Sequence, residues 1–189
     1  VIAGTGSITV VADVVTIGTT NTGNNAFNTS GALTLKPKTA GQAMSLAGAS
    51  AFDISATEMA RFATGATGPL VIGDTASTGV LTIGAALAMG GKTLVLNGGS
   101  ITDGGGTTRT ITAQNLTLNA NGQIGIGAAD GIDVIANNLS VSTTGGGNAF
   151  VRSTGAVNLG VGSAAGANVS GTLDLNATGA VTQTLGTGN

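Results

Sequence analysis

Eight carboxylates and six cations are the only charged side chains this 189-residue chain offers for chemistry, and it contains no histidine and no cysteine. The acids are Asp13, Asp53, Glu58, Asp74, Asp103, Asp130, Asp133 and Asp174; the cations are Lys36, Lys38, Arg61, Lys92, Arg109 and Arg152. Glycosidic bond cleavage uses two carboxylates held a fixed distance apart, and calcium needs several oxygens together. Only Asp130 and Asp133 are near neighbours, so they form the candidate acidic surface site. They also flank a Gly-Ile turn into a strand, where aspartate is a common turn former. Without histidine or cysteine the usual proton shuttle of a nucleophilic triad is missing, and zinc finds no soft ligands. GGGTTRT (104 to 110) lacks the aspartate of a calcium-binding nonapeptide, and GIGAAD (125 to 130) leads into a strand rather than the helix a phosphate loop requires. The expectation is a protein with no catalytic residue, no cofactor and no metal.

What positions these residues is a phrase that keeps returning: a small or polar residue, then apolar, Ser/Thr/Asp/Asn, apolar. It reads GSITV (6 to 10), GALTL (31 to 35), GVLTI (79 to 83), KTLVL (92 to 96), QNLTL (114 to 118), NNLSV (137 to 141), GAVNL (155 to 159) and GTLDL (171 to 175). Apolar residues two apart share one face, so each phrase is a short strand. Between them lie turn-forming stretches such as TNTGNN (20 to 25), NGGS (97 to 100), DGGGTT (103 to 108), NANG (119 to 122) and TTGGGN (143 to 148). Asn-Gly and Asp-Gly pairs within them are compatible with hairpins as well as with a solenoid.

The choice between the two comes from a longer copy. ITAQNLTLNANG (111 to 122) and VIANNLSVSTTG (134 to 145) align without a gap at an offset of 23, matching Ala113 to Ala136, Asn115 to Asn138 and Leu116 to Leu139. A copy spanning strand and turn together predicts stacked coils in register. The expectation is an all-β, parallel β-helix (β-solenoid) forming one domain over 1–189. At ~20 residues per coil it would have about nine coils, and at ~4.8 Å between strands a length of about 40 Å. One segment departs from the pattern. FDISATEMARFATG (52 to 65) places Ser55 three residues before Glu58, a capping box, and spaces Met59 and Phe62 for one helical face. It predicts a short helical insertion near 55–64 that packs its Met and Phe on the solenoid.

Composition supports order without large side chains: 34 glycines, 7% charged and 2% aromatic residues, yet 41% hydrophobic. A disordered chain would be poor in Val, Ile and Leu and rich in net charge. The formal net charge of −2 and the absence of a basic patch predict no nucleic-acid partner. Apolar runs of about five residues fall far short of the ~20 that span a bilayer, so no transmembrane segment is expected. Threonines at Thr110, Thr112, Thr117, Thr182 and Thr184 could line a flat face for ice or glycans, although β-propensity alone accounts for them. Asn28, Asn115, Asn138, Asn168 and Asn176 each begin an Asn-x-Ser/Thr triplet, the glycosylation acceptor pattern. The chain starts at Val1 with no charged leader and carries strand-like residues almost to both termini. The expectation is therefore a segment of a longer chain or a subunit that stacks end to end.

DISATEMARFATGATGPLVIGDTASTGVLTIG (53 to 84) and IGIGAADGIDVIANNLSVSTTGGGNAFVRSTGAVNLG (124 to 160) resemble the recurring unit of filamentous-haemagglutinin-like exoproteins of Gram-negative bacteria, and NATGAVTQT (176 to 184) is similar in style. The resemblance implies a right-handed β-helical shaft, secreted through an outer-membrane partner and displayed or released as an adhesin, toxin carrier or matrix filament. Its amino-terminal secretion domain, with an NPNG-type motif, is not within these residues. The expected function is that of an extracellular, non-enzymatic structural protein at the bacterial cell surface or in a biofilm, its partners being further coils, other copies, or host and matrix glycans. The alternative is a carbohydrate-binding or polysaccharide-acting β-helix.

Overall fold

The computed structural model describes residues 2–18, 27–65, 67–105, 108–160 and 167–183, with residues 2–3 and 63–65 described by backbone alone. The turn expected over 20–25 and Thr184 lie outside the described residues. The chain is a parallel β-solenoid of about 7 turns with one short helix. Strand alternation builds it directly, because each coil repeats the same inward positions and these stack into columns. On the first face Ile8, Leu33, Leu70, Leu94, Leu116, Leu139 and Leu159 are register partners in turn. On the second face the column is Phe52, Met44, Leu81, Ile101, Ile124, Ala149 and Leu173. On the third it is Leu87, Ile111, Val134, Ser153 and Ala177. Leu33, Leu94, Leu116 and Leu139 have no exposed surface, and burying each stabilises the stack by about 1.5–3 kcal/mol.

Coils are longer than the ~20 residues the repeat pattern suggested, which is why about seven replace nine. Leu94, Leu116, Leu139 and Leu159 follow one another at 22, 23 and 20 residues. The step from Leu33 to Leu70 takes 37, because an insertion lies within it. After the strand Met44–Leu46 the chain turns through Ala47 at φ 55 and lays Phe52–Ile54 on the side of Met44–Leu46 away from Val80–Ile83. This strand therefore backtracks toward the Ile8 end, against the direction in which the other coils are added.

The helix Ala56–Gly65 follows, close to the expected 55–64. Its capping box is formed: the Ser55 amide and hydroxyl both donate to Glu58 Oε2 at 2.8 and 2.7 Å, and the Glu58 amide donates back to Ser55 Oγ at 3.3 Å. Met59 and Phe62 are buried as the spacing predicts, Phe62 stacking on Phe27 with ring centroids 5.7 Å apart, and the helix packs against Leu87–Ala88. Glu58 Oε1 also accepts the Ile17 amide at 2.6 Å. The insertion thus heads two of the three columns, Phe52 lying before Met44 on the second face and the helix against Leu87–Ala88 on the third. On the last described coil, by contrast, Val169, Leu173, Leu175 and Ala177 are only partly buried.

Candidate functional site

The acidic pair does not converge on a free site. Asp133 lies on an outward column with Arg152 and Asn176 in the next coils. Arg152 Nη2 donates to Asp133 Oδ2 at 3.1 Å and Nη1 to the Ala129 carbonyl at 2.8 Å, while Nε lies 2.9 Å from Oδ1 without the geometry of a hydrogen bond. This charge-assisted bond joins neighbouring coils and occupies both terminal nitrogens of Arg152 together with the Ala129 carbonyl. Asp130 closes the tight turn from Gly127, its amide donating to the Gly127 carbonyl at 2.9 Å. Its carboxylate packs on Gly105 of the preceding coil, so close that a Cβ there would lie 3.1 Å from Oδ2.

The residue that sequence spacing did not bring into this group is Asp103. It follows Ile101 by two, which puts it on the inward side, and it has no exposed surface. Oδ1 accepts the Gly105 amide at 3.2 Å, and Oδ2 has no hydrogen-bond partner. Burial, more than any other influence, raises its carboxyl above the ordinary aspartate range; the charges of Asp130 and Asp133 add to this and the Gly105 amide opposes it. Arg109 Nη1 donates to the carbonyls of Asp103 and Gly105, not to the carboxylate. Parity in the Ile101-Thr102-Asp103 run was the available signal for this position. Among the described residues no three acidic side chains are placed to hold a metal ion. Asp133 is thus ion-paired with Arg152, and Asp103 is closed off from solvent.

Asp74, Asp13 and Asp53 are tied into the fold in the same manner. Lys36 donates to Asp74 at 2.7 Å, and this bond, helped by the Ala76 amide, holds the Asp74 carboxyl below its usual range. Asp13 is lowered by the amide and hydroxyl of Thr39, and Asp53 accepts the Ser45 hydroxyl at 2.6 Å and the Gly48 amide at 2.9 Å.

A polar ladder runs along the first face. Asn115 donates to Thr93 at 2.9 Å, Asn138 to Asn115 at 2.7 Å, Asn158 to Asn138 at 3.0 Å and Thr182 to Asn158 at 3.2 Å, one rung per coil. Two of the five glycosylation triplets, at Asn115 and Asn138, spend their amides in this ladder. Asn28, Asn168 and Asn176 are exposed. The threonines do not make a uniform face. Thr117 belongs to an outward column of Thr9, Thr34, Val71, Val95, Thr117 and Ser140, while Thr182 serves the asparagine ladder. Thr75, Gly98, Asn119, Ala120, Asn121, Ser142 and Thr144 line a notch of about 160 Å³. A groove of about 260 Å³ runs past Thr110, Asp133, Arg152, Thr154, Asn176 and Thr178. No helix among the described residues is long and apolar enough to cross a membrane. No family model matches this chain, and neither a curated protein nor a solved structure matches it.

Proposed function

We propose that this chain is a non-enzymatic extracellular module, the β-helical shaft of a Gram-negative adhesin or surface filament, whose work is rigid reach. The observation that carries this reading is the set of stacked columns, apolar but for Ser153, beside a one-rung-per-coil asparagine ladder, with the Asp133–Arg152 and Lys36–Asp74 pairs joining side chains of different coils. Such a stack resists bending and proteolysis because every coil is bonded to its neighbours. Export through an outer-membrane partner, and contact with host or matrix glycans, rest on the resemblance to filamentous-haemagglutinin-like exoproteins.

Solution scattering and a polysaccharide turnover screen on the purified chain test the proposal together. The expected result is a rod about 34 Å long per chain, from about seven coils at ~4.8 Å, with no turnover. Long fibres would make the chain a stacking subunit within the same structural class. Turnover of a plant or bacterial polysaccharide that disappears in Asp130→Asn or Asp133→Asn, with the far-ultraviolet spectrum unchanged, would overturn the shaft in favour of a carbohydrate-acting β-helix.

A further inference from the structure

We propose that the turn Asp103–Gly105 is a proton-operated latch: with a proton on Asp103 the turn stays seated in the core of the stack, and loss of that proton drives it out. The geometry sets the condition. Asp103 occupies an inward position two residues after the buried Ile101, and its fully buried carboxyl has one oxygen with no hydrogen-bond partner. A neutral carboxyl is tolerable there, whereas an ionised one needs a cation or several donors.

Neither cation at this corner is turned to that role. From its own loop, Arg109 spends Nη1 on the Asp103 and Gly105 carbonyls. From the coil beyond, Arg152 is held by Asp133 and by the Ala129 carbonyl. The other charged groups that act on Asp103 are Asp130, packed on Gly105, and Asp133, both of the same sign. The Gly105 amide, and to a lesser degree the backbone amide of Asp103 itself, favour the ionised form. The carboxyl is accordingly raised, through burial first. Because the folded value lies above the unfolded one, the seated turn is fully stable below the ordinary aspartate value of 3.8 and loses stability as pH climbs through the folded value.

The two glycine amides are built-in reporters, since Gly104 donates to Thr102 Oγ1 and Gly105 to Asp103 Oδ1. Their hydrogen exchange, measured by NMR on the intact chain and corrected for intrinsic rates, is expected to lose protection as pH rises above 3.8. The loss approaches roughly tenfold for every tenfold by which folding weakens the acidity of Asp103. Asp103→Asn, which cannot ionise, should keep both amides protected at every pH, and Asp130→Asn should move the wild-type midpoint down. The carboxyl carbon of Asp103 in the wild-type chain gives a second measurement that needs no variant. A titration at or below 3.8, or protection that does not change with pH, overturns the latch; so does the same pH dependence in Asp103→Asn.

Discussion

Replacing Glu58 by alanine tests whether the insertion secures the Ile8 end of the stack. Glu58 is 6% exposed, and its two oxygens take three bonds: the Ile17 amide at 2.6 Å, the Ser55 amide at 2.8 Å and the Ser55 hydroxyl at 2.7 Å. Alanine leaves the Ile17 and Ser55 amides without acceptors, at about 1–3 kcal/mol each, so the expected loss centres near 4 kcal/mol. For a chain of this size that is a fall in Tm of roughly 8–16 °C. Glutamine keeps a carbonyl for Ile17 but turns an NH2 toward the Ser55 amide, so Glu58→Gln should lose about half as much. With no tryptophan or tyrosine in the chain, guanidinium unfolding is followed by far-ultraviolet circular dichroism. Hydrogen exchange adds the location, since the Ala56–Gly65 helix and the Phe52–Ile54 strand should open while Ile132–Thr143 stays protected. An alanine variant within about 0.5 kcal/mol of wild type, the usual range for surface changes, would show that Glu58 does not hold this end.

The asparagine ladder should be measurable as coupling: Asn115→Ala and Asn138→Ala combined should cost less than the two singles together, by about 0.5–1.5 kcal/mol in a double-mutant cycle, and additive losses would dissolve the ladder. Gly147→Ala should destabilise strongly, since its Cβ would sit 2.1 Å from the Gly122 carbonyl oxygen, whereas Gly127→Ala, with nothing within 4 Å, should be close to neutral in the same unfolding assay. The acid side carries the opposite sign to Asp103. Asp74 is lowered by Lys36, so its contribution is present above the ordinary aspartate value and disappears as pH falls through the folded one. With the pair about a third exposed, Asp74→Asn should lose at most about 1 kcal/mol at pH 7, and nothing near pH 2. An undiminished difference at low pH would contradict that origin.

Much of the architecture could be read from residues alone, and the reason is the register. The copy at offset 23 matched Asn115 to Asn138 and Leu116 to Leu139, and these are the partners across the ladder. The capping box and the Met59–Phe62 spacing located the helix. What the repeated phrase could not tell was which face each copy occupies. GVLTI and GTLDL carry the same alternation as KTLVL but lie on the second face, because every face asks for apolar residues two apart. The first-face strand Leu70–Ile72 was hidden behind Pro69 in a sequence without the phrase. At the acidic corner, nearness in sequence selected Asp130 and Asp133, while Asp103 joined them only through coil stacking.

The same stacking explains why so little charge is present. Side chains in one column recur at ~4.8 Å, where like charges repel by about 1 kcal/mol in water and about 3 kcal/mol near a protein surface. A column of identical carboxylates or ammonium groups is therefore self-destabilising, and it grows worse with each coil. Asparagine escapes this because its amide donates and its carbonyl accepts, so one residue type can follow itself, as Asn115, Asn138 and Asn158 do. Charge is tolerated where opposite signs meet, as in Asp133 with Arg152 and Lys36 with Asp74. Asp103 breaks that rule: it is fully buried, and the charges that act on it through Asp130 and Asp133 share its sign. The one remaining way to satisfy the lattice there is to hold a proton, which makes that corner a point at which the stack responds to rising pH, opposite in sign to Asp74.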